Sequence, residues 1–307
     1  MRALHLVAGL GGSRRATARA AADVVVAARA NGWQPTVVSL DAVGRALAER
    51  PDGMERLVLC GGDGLVHRAA QLAAGRAVDV AVVPVGSGND FARAFGIGAA
   101  AVETAAAPPG QATVRAVDLL RVGDRYAASV LTGGYSGRVN ATANRLRFPP
   151  GSAKYTVAAL AEIGRLAPRP VRLDAELPDG STQVLEAPMT FFAIGNTAWF
   201  GGGMQVCPTA DPADGLVDVV TVGRLGRLEF VRWLPKVFRG AHLGHPAVGT
   251  TRARAVTVTT AESLWADGEQ VAPAATPVTV SVAPGALRLL VPEAGRLAVS
   301  EGRAAFG

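Results

Sequence analysis

The chain has 307 residues, of which 49% are apolar, 18% charged and 5% aromatic. That length suits two domains with ample cores, and no unbroken apolar run reaches membrane-spanning length. A formal net charge of +6 favours phosphates or an anionic bilayer surface, while few aromatics and no recognisable binding motif argue against nucleic acid as a partner.

The opening MRALHLVAGLGG has too short an apolar core for a signal peptide and reads as strand then turn, so the expectation is a cytoplasmic protein. Leu4 to Ala8 is the predicted first strand. Gly9-Leu10-Gly11-Gly12 reads as a phosphate-type loop, or as a plain strand–helix connection. Arg14 to Asn31 follows as an Ala-rich helix closed by Asn31-Gly32. Trp33 to Leu40 makes a second strand, and Asp41 is placed to cap the next helix.

Arg56 to Gly98 then repeats strand, loop and helix twice, in the manner of a parallel α/β sheet. The apolar runs Leu57–Cys60 and Val80–Val83 end in Gly61-Gly62-Asp63-Gly64 and Gly86-Ser87-Gly88-Asn89-Asp90. Glycines there let the backbone turn sharply, and the N–H groups opening a helix can face an anion. In open α/β sheets such loops bind ligands at the carboxyl ends of the strands. Asp63 between glycines repels phosphate unless a cation intervenes, which suits a nucleotide carried with Mg²⁺. Asn89-Asp90 can cap the helix of Phe91-Ala92-Arg93.

Ala99 to Pro109 reads as a helix then a break, and Val114 to Leu119 as a strand. Beyond it the chain looks β-rich. Candidate strands are Tyr126–Leu131, Val171–Leu177, Thr190–Ile194, Leu216–Val222, Ala255–Thr260 and Val278–Val282, interrupted by a helix from Tyr155 to Leu166. Pro168-Arg169-Pro170 is a candidate linker or turn. Arg224 to Arg239 reads either as an amphipathic, membrane-facing helix or as an ordinary packed segment, and Pro235 argues against one unbroken helix. The expected boundaries are 1–122 for a nucleotide-binding α/β domain and 123–286 for a second, β-rich domain, with a last strand within 287–307. Cys60 and Cys207 have no metal-ligand spacing and read as buried thiols.

GGDG at Gly61–Gly64 followed by VVPVGSGNDFARAFGI from Val82 resembles the diacylglycerol kinase catalytic domain shared by bacterial lipid kinases, sphingosine kinases and ceramide kinases. The resemblance implies a doubly wound, Rossmann-like N-terminal domain to which the strand within 287–307 returns, a β-sandwich-like C-terminal domain that binds the acceptor or lipid, and an active cleft between them. It implies nucleotide contacts from Thr36, from Gly61, Gly62, Asp63 and Gly64 with the following Leu65, Val66 and His67, and from Gly86, Ser87, Gly88 and Asn89. Relatives usually have Asn-Pro where Ala8-Gly9 stand, and follow GGDG with Thr and then Asn-Glu. Here Leu65, His67 and Arg68 depart from that pattern. The missing hydroxyl at Leu65 removes a phosphate hydrogen bond worth about 1 kcal/mol, and His67 reads as a solvated or packed helix residue rather than a catalyst.

The run from Gly195 through Asp211-Pro212-Ala213-Asp214-Gly215-Leu216 is similar to a second signature of these kinases. By that likeness Asp214 supplies a carboxylate to a structural Mg²⁺, with carbonyls of Asp211 and Leu216, and Asp118 and Lys154 join its wider network. A metal-free Asp-Gly turn is the alternative. Trp265-Ala266-Asp267-Gly268-Glu269 matches the turn that delivers the catalytic base, which places Glu269 in that role, although Asp-Gly also makes an ordinary hairpin.

The implied activity is ATP- and Mg²⁺-dependent phosphorylation of a lipid alcohol of diacylglycerol type, with Asp63 orienting the catalytic Mg²⁺ and Glu269 drawing off the proton. Three rivals stay open: a kinase of a soluble alcohol, an NAD kinase (opposed by the Gly86–Arg93 string), and a nucleotide- or lipid-binding protein without catalysis. Peripheral contact with the inner membrane face and a homodimer are compatible partners.

Overall fold

The structure, a computed structural model, describes residues 2–9, 13–49, 55–146, 148, 153–275 and 277–293. Its first elements alternate: β1 (Arg2–Ala8), α1 (Arg14–Ala30), β2 (Trp33–Val37), α2 (Leu40–Glu49), β3 (Arg56–Gly61), α3 (Asp63–Ala73), β4 (Asp79–Pro84), α4 (Asp90–Ala94), α5 (Ala101–Ala106) and β5 (Thr113–Val122). β1 pairs in parallel with β2 and β3, and β3 with β4, in the order β2-β1-β3-β4. Every residue of β3 is buried, as is Val80–Val83 of β4. Such unbroken apolar strands are what a parallel sheet covered on both faces requires. α1 packs on α5, and α2 on α3. β2 lies at the sheet edge, where Pro35 withholds no needed ladder donor. The chain winds one way from β1 to β2 and the other way from β3 to β4, so the topological switch point falls between β1 and β3.

The remaining elements are β6 (Arg125–Ala127), β7 (Val130–Gly134), α6 (Tyr135–Arg145), α7 (Ala153–Gly164), β8 (Arg169–Glu176), β9 (Thr182–Met189), β10 (Phe191–Gly195), β11 (Trp199–Phe200), β12 (Met204–Gln205), β13 (Val217–Val222), α8 (Arg227–Val237), β14 (Val248–Ala253), β15 (Ala255–Thr260), β16 (Leu264–Ala266), β17 (Glu269–Ala272) and β18 (Val278–Val291). One antiparallel sheet runs β14-β13-β10-β7-β16-β17. Facing it, β15 pairs with β8 and with the first half of β18, and β8 with β9. Leu131, Phe192, Ile194 and Val219 from the first sheet share a core with Leu173, Val256, Val258 and Val280 from the second. That is a β-sandwich in the usual sense of two inner faces interdigitating.

Residues up to Leu119 with those from Pro284 onward form one compact unit, and Leu120–Ala283 the other. Within the first unit, Arg288 and Leu289 of β18 lie parallel to Asp79 and Val80 of β4.

Several local expectations are corrected. Tyr126–Leu131 is not one strand: β6 pairs with β5, whereas β7 pairs with β10 and β16. Pro168-Arg169-Pro170 is no linker, because Arg169 and Pro170 already lie opposite Met189 and Pro188 of β9. Val278–Val282 and Leu287–Val291 are parts of a single strand. Arg227–Val237 is one helix despite Pro235, which has no N–H to give the Val231 carbonyl, and the helix ends two residues after it. Ser39, not Asp41, caps α2, accepting the Ala42 N–H at 3.2 Å. Asp41 stands in the first turn, where its charge complements the helix dipole. In the first loop Leu10, Gly11 and Gly12 lie outside the described residues, and Ser13 caps α1.

Candidate active site

At the switch point the loops after β1, β3 and β4 are tied through backbone. The Gly9 N–H donates to the Cys60 carbonyl at 2.8 Å, and the Val85 N–H to the Gly61 carbonyl at 3.1 Å. A Cβ placed on Gly86 would lie 2.6 Å from the Gly62 Cα, so the two central loops touch glycine to glycine. The absent side chains leave a cradle of half-buried backbone at Gly62, Gly86 and Gly88, the form of site that takes a phosphate chain.

Two side chains lock this contact. Asp63 opens α3, and its Oδ1 accepts the Phe91 N–H at 3.0 Å, so the carboxylate of the first loop caps the helix after the second. Asn89 takes a left-handed backbone (φ 54°) and makes no cap of its own. Instead its Oδ1 accepts the Gly86 N–H at 3.0 Å and its Nδ2 donates to the Gly86 carbonyl at 2.7 Å. Asp90 is buried, with the Arg93 guanidinium 3.8 Å away. The expected cap by Asn89-Asp90 is thereby corrected: Asp63 supplies it from another loop. Ser87 is exposed at the loop tip, and the Gly88 carbonyl accepts from Arg93 at 3.2 Å.

Leu65 lies beneath the first loop, where a Cβ on Gly61 would come within 2.7 Å of its Cδ2. It fills the space with packing in place of a hydroxyl. Gly64 points into open space. Val66 and His67 are both among the buried residues of α3, so His67 is a packed residue and not a solvated one. Thr36 is exposed on edge strand β2, opposite His5 of β1. β1, which runs on to Gly9, lies between it and β3.

In the second unit, β16 and β17 form a tight hairpin with Ala266 opposite Glu269. Its two turn residues, Asp267 (φ 51°) and Gly268 (φ 88°), both have left-handed backbones, the geometry of a type I′ turn. The Asp267 carboxylate accepts the N–H groups of Ala128 at 2.8 Å and Ser129 at 3.1 Å, which pins the turn to the β6–β7 connection. Glu269 is exposed at the start of β17. Tyr155 of α7 stands beside this turn, its hydroxyl 4.0 Å from a Cβ built on Gly268. Burial, and then the negative charge of Glu269, push the Tyr155 hydroxyl pKa up. Sequence reasoning passed over both neighbours. Asp267 could have been found as the only turn residue able to take backbone donors, whereas nothing local marks Tyr155.

The 211–216 turn is held by its own amides: Asp211 accepts the Ala213 N–H at 3.1 Å, and Asp214 the Leu216 N–H at 2.9 Å. The second Asp214 oxygen pairs with Arg252, whose Nε also reaches Asp218 at 3.4 Å. Arg252 faces Asp218 directly across β13 and β14. Burial raises the Asp214 and Asp218 carboxyl pKa values, opposed at Asp214 by the Leu216 N–H and at Asp218 by Thr209, and by Arg252 at both. Arg252 and the Leu216 N–H thus take the two oxygens of the Asp214 carboxylate, the group that would hold the expected Mg²⁺ together with the Asp211 and Leu216 carbonyls. Asp118 accepts the Gly285 N–H at 2.7 Å, and the Lys154 ammonium lies 5.2 Å from the Tyr155 ring centroid. Both cysteines are buried; burial pushes the Cys60 thiol up to about 12.

Residues 4–122 match the family model of the diacylglycerol kinase catalytic domain, and residues 128–291 that of the YegS C-terminal NAD kinase beta sandwich-like domain. With the interlocked loops at the switch point, these matches define the class as a phosphotransferase with an alcohol group as acceptor. Within that class the chain belongs to the diacylglycerol kinase family. It is similar to a diacylglycerol kinase of Mycobacterium tuberculosis (strain ATCC 25618 / H37Rv), with 36% identity over 249 residues covering 79% of each chain. A YegS-like lipid kinase of Stenotrophomonas maltophilia is 35% identical over 193 residues, 59% of this chain and 60% of that one. The crystal structure of a diacylglycerol kinase from Bacillus anthracis str. Sterne superimposes with a TM-score of 0.72 at 19% identity, covering 95% of this chain and 98% of that one, and so shares its fold.

Proposed function

We propose that the protein transfers the γ-phosphoryl group of ATP to the hydroxyl of a diacylglycerol-like lipid alcohol. The observation that carries this reading is the glycine-to-glycine contact of the two loops, locked by Asp63 and Asn89. Backbone so arranged holds a triphosphate without reorganising when charge moves onto the leaving oxygen. Ser87, exposed at the tip, adds a hydroxyl donor. Asp63 at the opening of α3 would hold the Mg²⁺ of a nucleotide that arrives as its metal complex, and the ion would supply positive charge to offset that of the phosphates. Glu269, exposed on its pinned hairpin, accepts the proton as the alcohol oxygen bonds to the γ-phosphorus and ADP departs.

A lipid acceptor implies work at a bilayer surface from the cytoplasmic side. Among the described residues no helix is long and apolar enough to cross a membrane, and the formal charge of +6 suits anionic lipid. The test is transfer of radiolabel from ATP into a total lipid extract, with a soluble metabolite extract and NAD as parallel acceptors. Label in the lipid fraction is expected; label confined to the soluble fraction or to NAD overturns the lipid assignment. Asp63→Asn and Glu269→Gln each lower turnover at least about a hundredfold, and near-normal rates in both folded variants would overturn the roles given to them.

A further inference from the structure

Helix α8 carries two apolar stripes where a helix packed on a core needs one. The inner stripe is used: Phe230 packs edge-on against Tyr135 at 4.7 Å between ring centroids, Trp233 against His245 at 4.5 Å, and Val237 against a buried cluster of the second unit. The outer stripe, Leu228, Val231, Pro235 and Phe238, repeats at intervals of three and four residues, the spacing of one helical face. Among the described residues nothing covers it: Leu228 is 89% exposed, Val231 48% and Phe238 50%. No residue of α8 is buried.

The charges around that stripe are of one sign. Arg224, Arg227, Arg232, Lys236 and Arg239 are all exposed, and the one acid of the segment, Glu229, bonds to His245 and to the Gly226 N–H. An apolar ridge rimmed by cations is the profile of a helix lying in the interface of an anionic bilayer, with its side chains among acyl chains and its guanidiniums at headgroup phosphates. A protein partner would have to match both five cations and the ridge, whereas anionic lipid supplies both from one surface.

We propose that α8 is the membrane-docking element of this kinase and that its occupant is a bilayer containing anionic phospholipid. The inference rests on the lipid-acceptor reading for its purpose, but not for its test. Binding of the full chain to vesicles of phosphatidylcholine, with and without phosphatidylglycerol, is measured by co-sedimentation. Three forms are compared: wild type, a Leu228→Ser/Val231→Ser/Phe238→Ser variant, and an Arg227→Gln/Arg232→Gln/Arg239→Gln variant. The wild type is expected to prefer anionic vesicles, and each variant to bind them at least about tenfold more weakly. Because these side chains are exposed, melting temperatures should stay close to wild type.

Phosphate transfer to a short-chain diacylglycerol in detergent should be equal in all three forms and fall only on vesicles. Wild type that ignores anionic vesicles, or variants that bind as well as wild type, would overturn the proposal. So would a stripe variant that changes only the oligomeric state in sedimentation velocity, which would make the ridge a contact between two copies. If vesicle binding depends on α8 while no lipid accepts phosphate, the docking assignment stands and the acceptor reading falls.

Discussion

A methyl group added at Gly86 has nowhere to go, since it would lie 2.6 Å from the Gly62 Cα and 2.8 Å from Asn89 Oδ1. Neither can yield: one is backbone, and the other belongs to a side chain held by two hydrogen bonds. Gly86→Ala must therefore part the loops, and the expected result is a KM for ATP raised at least about tenfold with a modest loss of melting temperature. Gly64 is the control, because a Cβ there meets no protein atom. Gly64→Ala should leave the melting temperature unchanged or slightly higher, as alanine is the better residue inside a helix. An unchanged KM for ATP in Gly86→Ala would remove these loops from the nucleotide site. Leu65 shows how a departure from the family pattern is absorbed, the lost hydroxyl being replaced by side-chain packing under Gly61.

For the elements, the hairpin that carries Glu269 depends on a carboxylate two residues before it. Asp267→Ala orphans the Ala128 and Ser129 N–H groups and leaves alanine in a left-handed conformation. The combined cost is on the order of 2–4 kcal/mol. Thermal melts should show a fall of several degrees, and kcat should drop more than tenfold while the KM for ATP holds, because the glycine loops proposed to hold the nucleotide belong to the other unit. A KM effect equal to the kcat effect would contradict that division. Asp267→Asn should lose less, since asparagine tolerates the same backbone conformation. α6 and α7 are joined through Tyr135, whose hydroxyl donates to the Ala159 carbonyl at 2.8 Å. Its pKa is pushed up to about 12, mainly by burial, so the phenol keeps that donated proton at neutral pH.

At the scale of the whole molecule, stability should depend on pH through two histidines, one in each unit. His242 is buried with its Nε2 3.1 Å from the Val206 carbonyl, and burial lowers its pKa below the ordinary 6.5; His5 is lowered for the same reason. The unfolded chain then binds more protons than the native one between the depressed pKa and 6.5, so stability rises with pH across that window. It is full above about pH 6.5 and lost as pH falls below it, by at most about 1.4 kcal/mol per pH unit for one proton. Melting curves from pH 7.5 to 5 should therefore slope downward, and His242→Gln should flatten part of that slope. A slope identical in the variant would mean that His242 titrates alike folded and unfolded.

What the chain determined by itself were the features set by local chemistry. Two apolar runs ending in glycine loops could be little other than β3 and β4 of a parallel sheet, and Asp-Gly between short strands gives the turn its left-handed backbones. Strands β9 and β14 were illegible because they alternate poorly: β9 is exposed at most positions, with only Met189 buried. The tertiary structure alone decided partners. Asp63 captures Phe91 from 28 residues away, Asp267 captures the β6–β7 connection, and Arg252 claims Asp214 from 38 residues away. Hydrophobic period records which face of an element is buried, but a carboxylate among glycines is compatible with any donor the fold delivers. Which donor arrives depends on loop closure over tens of residues, and that information is not carried by any local stretch of the chain.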